Sequence, residues 1–225
     1  MNKSLIRCAL IASLVSAAYS VRADEPEVFK KKGYTLTFES LDSGFDPKLK
    51  KRMVKTFFKV YPVLVKEFNP QAAKEVKFVI DTSYKGVAAT SRKRVVYSAK
   101  YMGAKPEDID VVTHEVMHVV QEYGYRSGPV WLTEGIADYV RYKFGVDNKG
   151  AGWTMPEYKE GQSYTNSYRI TARFFAWLEK NVKPGLIKEI DSRLRARTYK
   201  AEAWAELTGK DIDQLWKSYS ENPVL

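Results

Sequence analysis

The only two histidines of the chain, His114 and His118, stand four residues apart in "VVTHEVMHVVQEYG" (111–124), with Glu115 between them. Residues i and i+4 share one face of a helix, so both imidazoles can converge on a single cation. Imidazole suits zinc, and a catalytic zinc takes three protein ligands plus one position open to water. The pattern H-E-x-x-H also sets a carboxylate beside that water. A third ligand must come from elsewhere, and no further histidine exists to supply it. The one cysteine, Cys8, lies in a segment that reads as removable. A carboxylate is therefore expected, and "WLTEGIADYVR" offers Glu134 and Asp138, again four apart.

His114, His118 and Glu134 are expected to be the ligands of Zn2+. Asp138 then orients a ligand histidine through its other ring nitrogen. The exchange of Asp138 for Glu134 as ligand satisfies the same chemistry and stays open. Zinc lowers the pKa of its water toward ~7 and polarises a carbonyl. Glu115 is expected to carry the water's proton to the leaving amine. The developing oxyanion needs a further donor. With both histidines spent, a tyrosine is the candidate, and Tyr168 is preferred over Tyr139 and Tyr123.

Periodicity and breakers suggest the elements that must position these groups. "GYTLTFES" (33–40) alternates as a strand. Asp46-Pro47 opens a helix running to Phe68, with Met53, Phe57, Val60, Val63 and Leu64 on one face and a kink or break at Pro62. Further strands are expected at 75–83 and 94–101. A helix from Pro106, with Glu107, Asp108 and Asp110 favourably placed at its positive end, carries the histidines and stops near Gly124. The next runs from "GPV" (128–130) to Gly145. After a loop rich in Gly, Trp and Tyr come helices near 166–181, 184–195, 199–207 and 211–220. Strands first and helices later read as a single α+β domain over 24–225.

Residues 1–23 read as a secretory signal peptide, with a basic start, an apolar stretch too short to span a bilayer comfortably, and cleavage after Ala23. The product would be secreted or periplasmic, without a transmembrane segment or a disulfide. Of 37 basic residues, Lys3, Arg7 and Arg22 leave with the signal, so 34 remain against 27 acidic ones, a charge of +7. That balance favours anionic surfaces such as cell walls. The runs "FKKKG" (29–33), "KLKKR" (48–52) and "SRKR" (91–94) read as solvated faces. The aromatic–basic interleaving of a nucleic-acid module is absent.

"VVTHEVMHVVQ", "WLTEGIADYVRYKFG", "SYRITARFFAWLE" and "LTGKDIDQLWKSY" together resemble the basic secretory protein family of plants and bacteria. The resemblance covers roughly 34–222 and implies a zincin-like fold: a small N-terminal mixed sheet, an active-site helix and a mainly helical C-terminal half. It also implies a zinc metallopeptidase acting on peptides or proteins; association of these with cell walls and a monomeric state are separate expectations. "WLTEGIADY" is similar to the helix that donates the third zinc ligand in gluzincins, which carries over to Glu134, and the following Asp138 matches their orienting carboxylate. Gln121 and Gly124 depart from the metzincin pattern. The spacing from His118 to Glu134 is shorter than in gluzincin aminopeptidases, so aminopeptidase specificity does not carry over. The resemblance further implies an edge strand that pairs with substrate, placed here at "RVVYSA" (94–99). A different class of function, a zinc-stabilised envelope or glycan-binding protein without hydrolysis, is disfavoured by Glu115, for which a closed structural site has no use. Binding of anionic lipid would rest on charge alone.

Overall fold

The computed structural model describes residues 25–225, so the expected signal segment, 1–23, lies outside the described residues. Five strands form one mixed sheet: β1 (Glu27–Lys31), β2 (Tyr34–Ser40), β3 (Glu75–Asp81), β4 (Ala88–Ser91) and β5 (Arg94–Ser98), in the order β1-β2-β3-β5-β4. The outer pairs, β1 with β2 and β4 with β5, are antiparallel hairpins, while β2, β3 and β5 run parallel. The β2–β3 crossover is the 22-residue helix α1 (Pro47–Phe68). Its Asp46 cap accepts from the Lys48 amide at 2.8 Å, satisfying one of the free donors of the first turn. Met53, Phe57, Tyr61 and Leu64 of α1 are fully buried, together with Leu36, Phe78 and Ile80 of the sheet. Phe57 packs edge-on to Phe78 at 5.5 Å and stacks on Tyr61 at 4.9 Å.

Seven helices follow: α2 (Ala99–Ala104), α3 (Val111–Gln121), α4 (Val130–Phe144), α5 (Tyr168–Asn181), α6 (Leu186–Arg195), α7 (Ala203–Thr208) and α8 (Ile212–Glu221). The chain is thus α+β, with the sheet first and a helical second half, as expected. Helix α3 contacts α1, α4 and strand β4. Ten of its eleven residues are buried, including Val112, Val116 and Val120. It is the central helix of the fold.

Several local expectations are corrected. Helix α1 runs on through Pro62, because Phe58 and Tyr61 before it and Leu64 and Val65 after it are all buried and hold both halves in place. Val63, expected on the buried face, is 42% exposed. Strand β1 lacks a buried face and so has no alternation to read; it pairs through a tight Lys32-Gly33 turn with both residues at positive φ, the geometry two-residue hairpins favour. Strand β4, "AATS", is too short and small-chained to show a period. The expected strand at 94–101 ends at Ser98, whose hydroxyl accepts from the Tyr101 amide and starts α2. Strand β5 therefore lies between β3 and β4, and the sheet edge on this side belongs to β4 rather than to 94–99, the other edge being β1.

The acids before α3 do not fill its first turn, since the helix begins only at Val111. Asp108 pairs with the buried Arg141 guanidinium and accepts from Tyr101 at 2.6 Å. Asp110 accepts from Thr113 and from the amides of Val146 and Asp147. These carboxylates tie α3 to the C-terminal end of α4. At its other end α3 stops at Gln121, because Glu122 turns left-handed at φ 47°.

Helices α4 and α5 approach closely at Gly135, the residue after Glu134. A Cβ there would lie 2.4 Å from Thr171 Cγ2 and 3.0 Å from Phe175. Thr171 is fully buried and its hydroxyl donates to the Tyr164 carbonyl at 2.6 Å, so it has no room to yield. Gly135→Ala is expected to lose about 1–3 kcal/mol to overpacking, although alanine gains up to ~1 kcal/mol in helix propensity. Denaturant unfolding measures the balance, and a variant more stable than wild type would show that α5 can retreat.

Candidate active site

His114 and His118 project from one face of α3 toward Glu134, in the second turn of α4. His114 Nε2 lies 3.2 Å from His118 Nε2, and Glu134 Oε2 lies 3.2 Å and 3.4 Å from these two nitrogens. These three residues are the one group of possible metal ligands found among the described residues. Asp138, one turn further along α4 and 4% exposed, stands behind His114, with its Oδ1 2.7 Å from the far ring nitrogen Nδ1. It faces away from the convergence point.

The far sides of the rings determine what the near sides present. A carboxylate can only accept, so Nδ1 of His114 carries a hydrogen toward Asp138. His118 Nδ1 lies 2.7 Å from Gln121 Oε1, and Gln121 Nε2 donates to the Thr133 carbonyl at 3.0 Å. That second bond orients the amide, so its oxygen accepts from His118 and fixes the same tautomer. Both Nε2 atoms then turn lone pairs inward. Gln121 was not singled out from sequence as a partner of His118; its spacing of three residues from His118 was the available signal.

Two lone pairs and a carboxylate oxygen at 3.2–3.4 Å cannot satisfy one another without a positive charge between them. Ligand atoms around a tetrahedral zinc with bonds of ~2.0–2.1 Å are separated by about 3.3 Å, so the three donors fit one face of such a site. Titration behaviour points the same way. Burial lowers the pKa of His114, but hydrogen bonds to Asp138 and Glu134 outweigh it and lift the value to about 10. Burial raises that of Glu134, yet its bonds to His114 and His118 hold it well below the usual carboxylate range. In the cation-free form a proton on His114 occupies the place where a metal fits.

Glu115 points from α3 toward the sheet edge and is 6% exposed. The Thr90 hydroxyl of β4 lies 2.7 Å from its Oε2 and 3.1 Å from its backbone carbonyl. Thr90 gave no signal in the sequence, because β4 itself gave none. Tyr168, the first residue of α5, is half-exposed, with its ring 6.2 Å from that of His114 and nearly parallel to it. Burial and the charges of Glu134, Asp138 and Glu115 push its phenol up, so it remains a donor at neutral pH. Ser167 and Tyr168 both hold positive φ, 69° and 49°, a conformation disfavoured for such residues and met at functional sites. The other two tyrosines are engaged elsewhere: Tyr123 donates to Asp191 at 2.7 Å, and Tyr139 is buried in the core. Trp131 also packs, against Tyr164 and Phe175. All the site groups line a cleft of about 1550 Å³, bordered by residues 86–90, Trp153 and Arg169.

This architecture is shared with solved zinc metallopeptidases. Similar solved structures include an M1 zinc metallopeptidase from Deinococcus radiodurans, 14% identical with a TM-score of 0.53 over 91% of this chain and 52% of that one. Aminopeptidase A of Legionella pneumophila, in complex with aspartic acid, is 14% identical with a TM-score of 0.57 over 87% and 28%. At such identities the likeness is one of fold, and the chain spans about half or less of the length of these structures. No curated protein matches the chain significantly. The family model described as "Peptidase of plants and bacteria" matches residues 35–219. The chain belongs to that family.

Zinc titrated into chelator-treated protein at pH 7 is expected to expel the proton from His114, which the folded apo form holds up to about pH 10. Calorimetry in buffers of differing ionisation enthalpy should therefore give about one proton released per ion, with affinity rising about tenfold per pH unit in this range. Uptake with no proton released would show that His114 is already neutral in the folded apo form, against the raised pKa.

Proposed function

We propose that the chain is a secreted, zinc-dependent peptidase whose single domain spans 24–225 and acts as a monomer. The observation that carries this reading is the convergence of His114, His118 and Glu134 beside a buried Glu115 and a free sheet edge in one cleft. A zinc ion held by the three side chains would polarise the scissile carbonyl and acidify a water. Asp138 and Gln121 keep the histidine tautomers that leave Nε2 free for it. Glu115, with Oε2 engaged by Thr90, has its other carboxylate oxygen available to take the water's proton and pass it to the leaving amine. Tyr168 donates its phenolic hydrogen to the oxyanion.

The substrate is a peptide or protein segment lying along β4, whose unpaired backbone offers the hydrogen bonds of an added strand. The net positive charge supports association with acidic cell-wall polymers. No helix among the described residues is long and apolar enough to cross a membrane.

Glu115→Gln is expected to bind zinc as wild type does and to lose chelator-sensitive cleavage of a broad peptide library by about 10²–10⁴-fold. Glu134→Ala should instead lose the metal, measured by elemental analysis after dialysis. Wild-type protein that is loaded with zinc yet cleaves nothing would move the reading to an envelope-binding protein. Tyr168→Phe is expected to lower kcat by about 10²-fold with little change in KM; an unchanged kcat would leave Tyr168 as a cleft-lining side chain only.

A further inference from the structure

Strand β4 is the one element that touches both the peptide-docking edge and the proposed base. It pairs with β5 through Ala88↔Tyr97, Ala89↔Val96, Thr90↔Val95 and Ser91↔Arg94. The Ser98 amide donates to the Val87 carbonyl at 3.0 Å, which makes 87 and 98 a hydrogen-bonded pair. Antiparallel ladders alternate, so 89–96 and 91–94 are bonded pairs too, and 88–97 and 90–95 are not. The N–H and C=O of Ala88 and Thr90 therefore point away from β5, toward the free edge. The Ala88 carbonyl is already taken by the Tyr84 hydroxyl at 3.1 Å. The backbone of Thr90 is left as an open donor–acceptor pair on the border of the cleft.

The same residue sends its hydroxyl to Glu115 Oε2 at 2.7 Å. We infer that Thr90 is a positioning residue that couples peptide docking to the orientation of Glu115: its backbone pairs with the substrate strand while its side chain holds the carboxylate. The inference rests on the peptidase reading and adds a substrate preference to it. Strand β4 has only four residues and a sheet partner on one side only, so an added strand supplies the second set of bonds that fixes it. Once β4 is fixed, the Thr90 hydroxyl holds one oxygen of Glu115 and leaves the other toward the water. Peptides long enough to pair with β4 then turn over faster than ones that span only the scissile bond, through kcat rather than through KM alone.

The test compares an eight-residue peptide from the cleaved set with a blocked dipeptide containing the same scissile bond. Wild type is expected to show a kcat for the long peptide about tenfold above that for the short one, a modest share of what a positioned base contributes. Thr90→Val, which keeps the shape and removes the hydroxyl, should bind zinc normally and lose most of that advantage. Thr90→Ser, which restores a hydroxyl, should recover it. A ratio preserved in Thr90→Val, or one that Thr90→Ser fails to restore, overturns the coupling. A separate measurement uses the Glu115→Gln protein, in which peptides persist. Hydrogen exchange at the Thr90 amide is expected to slow with the long peptide and not with the short one; no slowing with either overturns docking at Thr90. Absence of chelator-sensitive cleavage by wild type sinks the peptidase reading itself, a result distinct from an unaltered ratio.

Discussion

Two imidazole nitrogens and a carboxylate oxygen, held within 3.4 Å of one another with their lone pairs facing inward, need a positive charge among them. In water such groups would turn away and hydrate. Here they cannot turn. His114 is held from behind by Asp138 and His118 by Gln121, while Gln121 is itself held by the carbonyl of Thr133, the residue before Glu134. Much of the fold serves that confinement. The apolar sides of α3 lock it among α1, β4 and α4, and the acids Asp108 and Asp110 tie its N-terminal approach to the far end of α4. Two helices joined by an eight-residue loop thereby become one rigid mount for three donors.

The chemistry of this centre was more legible in the sequence than the frame around it. Histidines spaced by four and carboxylates spaced by four are helix-face statements, and they hold wherever the helices begin. The lack of any other histidine points to a carboxylate as third donor, and α4 carries one in Glu134. The termini of α3 were less legible, because Asp108 and Asp110 satisfy the local rules for a helix start while their oxygens are used by Arg141, Tyr101 and the loop at 146–147. Tertiary partners overrode a valid local signal. Pro62 is the same case in reverse, a breaker overruled by buried neighbours on both sides. Strand β4 was not legible at all, since small residues in a four-residue strand carry no period, and Thr90 and the true sheet edge were missed with it. The orientation of Gln121 depends on a carbonyl twelve residues away and belongs to the fold rather than to the motif.

Beyond the centre, the cleft is bounded by elements packed to different extents. The wall at α4 and α5 is closely packed, with Gly135 against Thr171 and a cluster of Trp216, Phe174 and Tyr219 behind it. The wall at β4 has four residues, one neighbouring strand and an open edge. Two consecutive residues at positive φ, Ser167 and Tyr168, stand where the first wall turns into the cleft.

The confinement of both histidines to α3 also shapes the rest of the molecule. Lysine, arginine and carboxylate side chains in ordinary surroundings keep their charge between about pH 5 and 9. A chain with no other imidazole therefore presents an outer surface whose charge is nearly constant across that range. Any attraction of that surface to anionic material would then change little between mildly acidic and mildly alkaline media and would respond to salt instead.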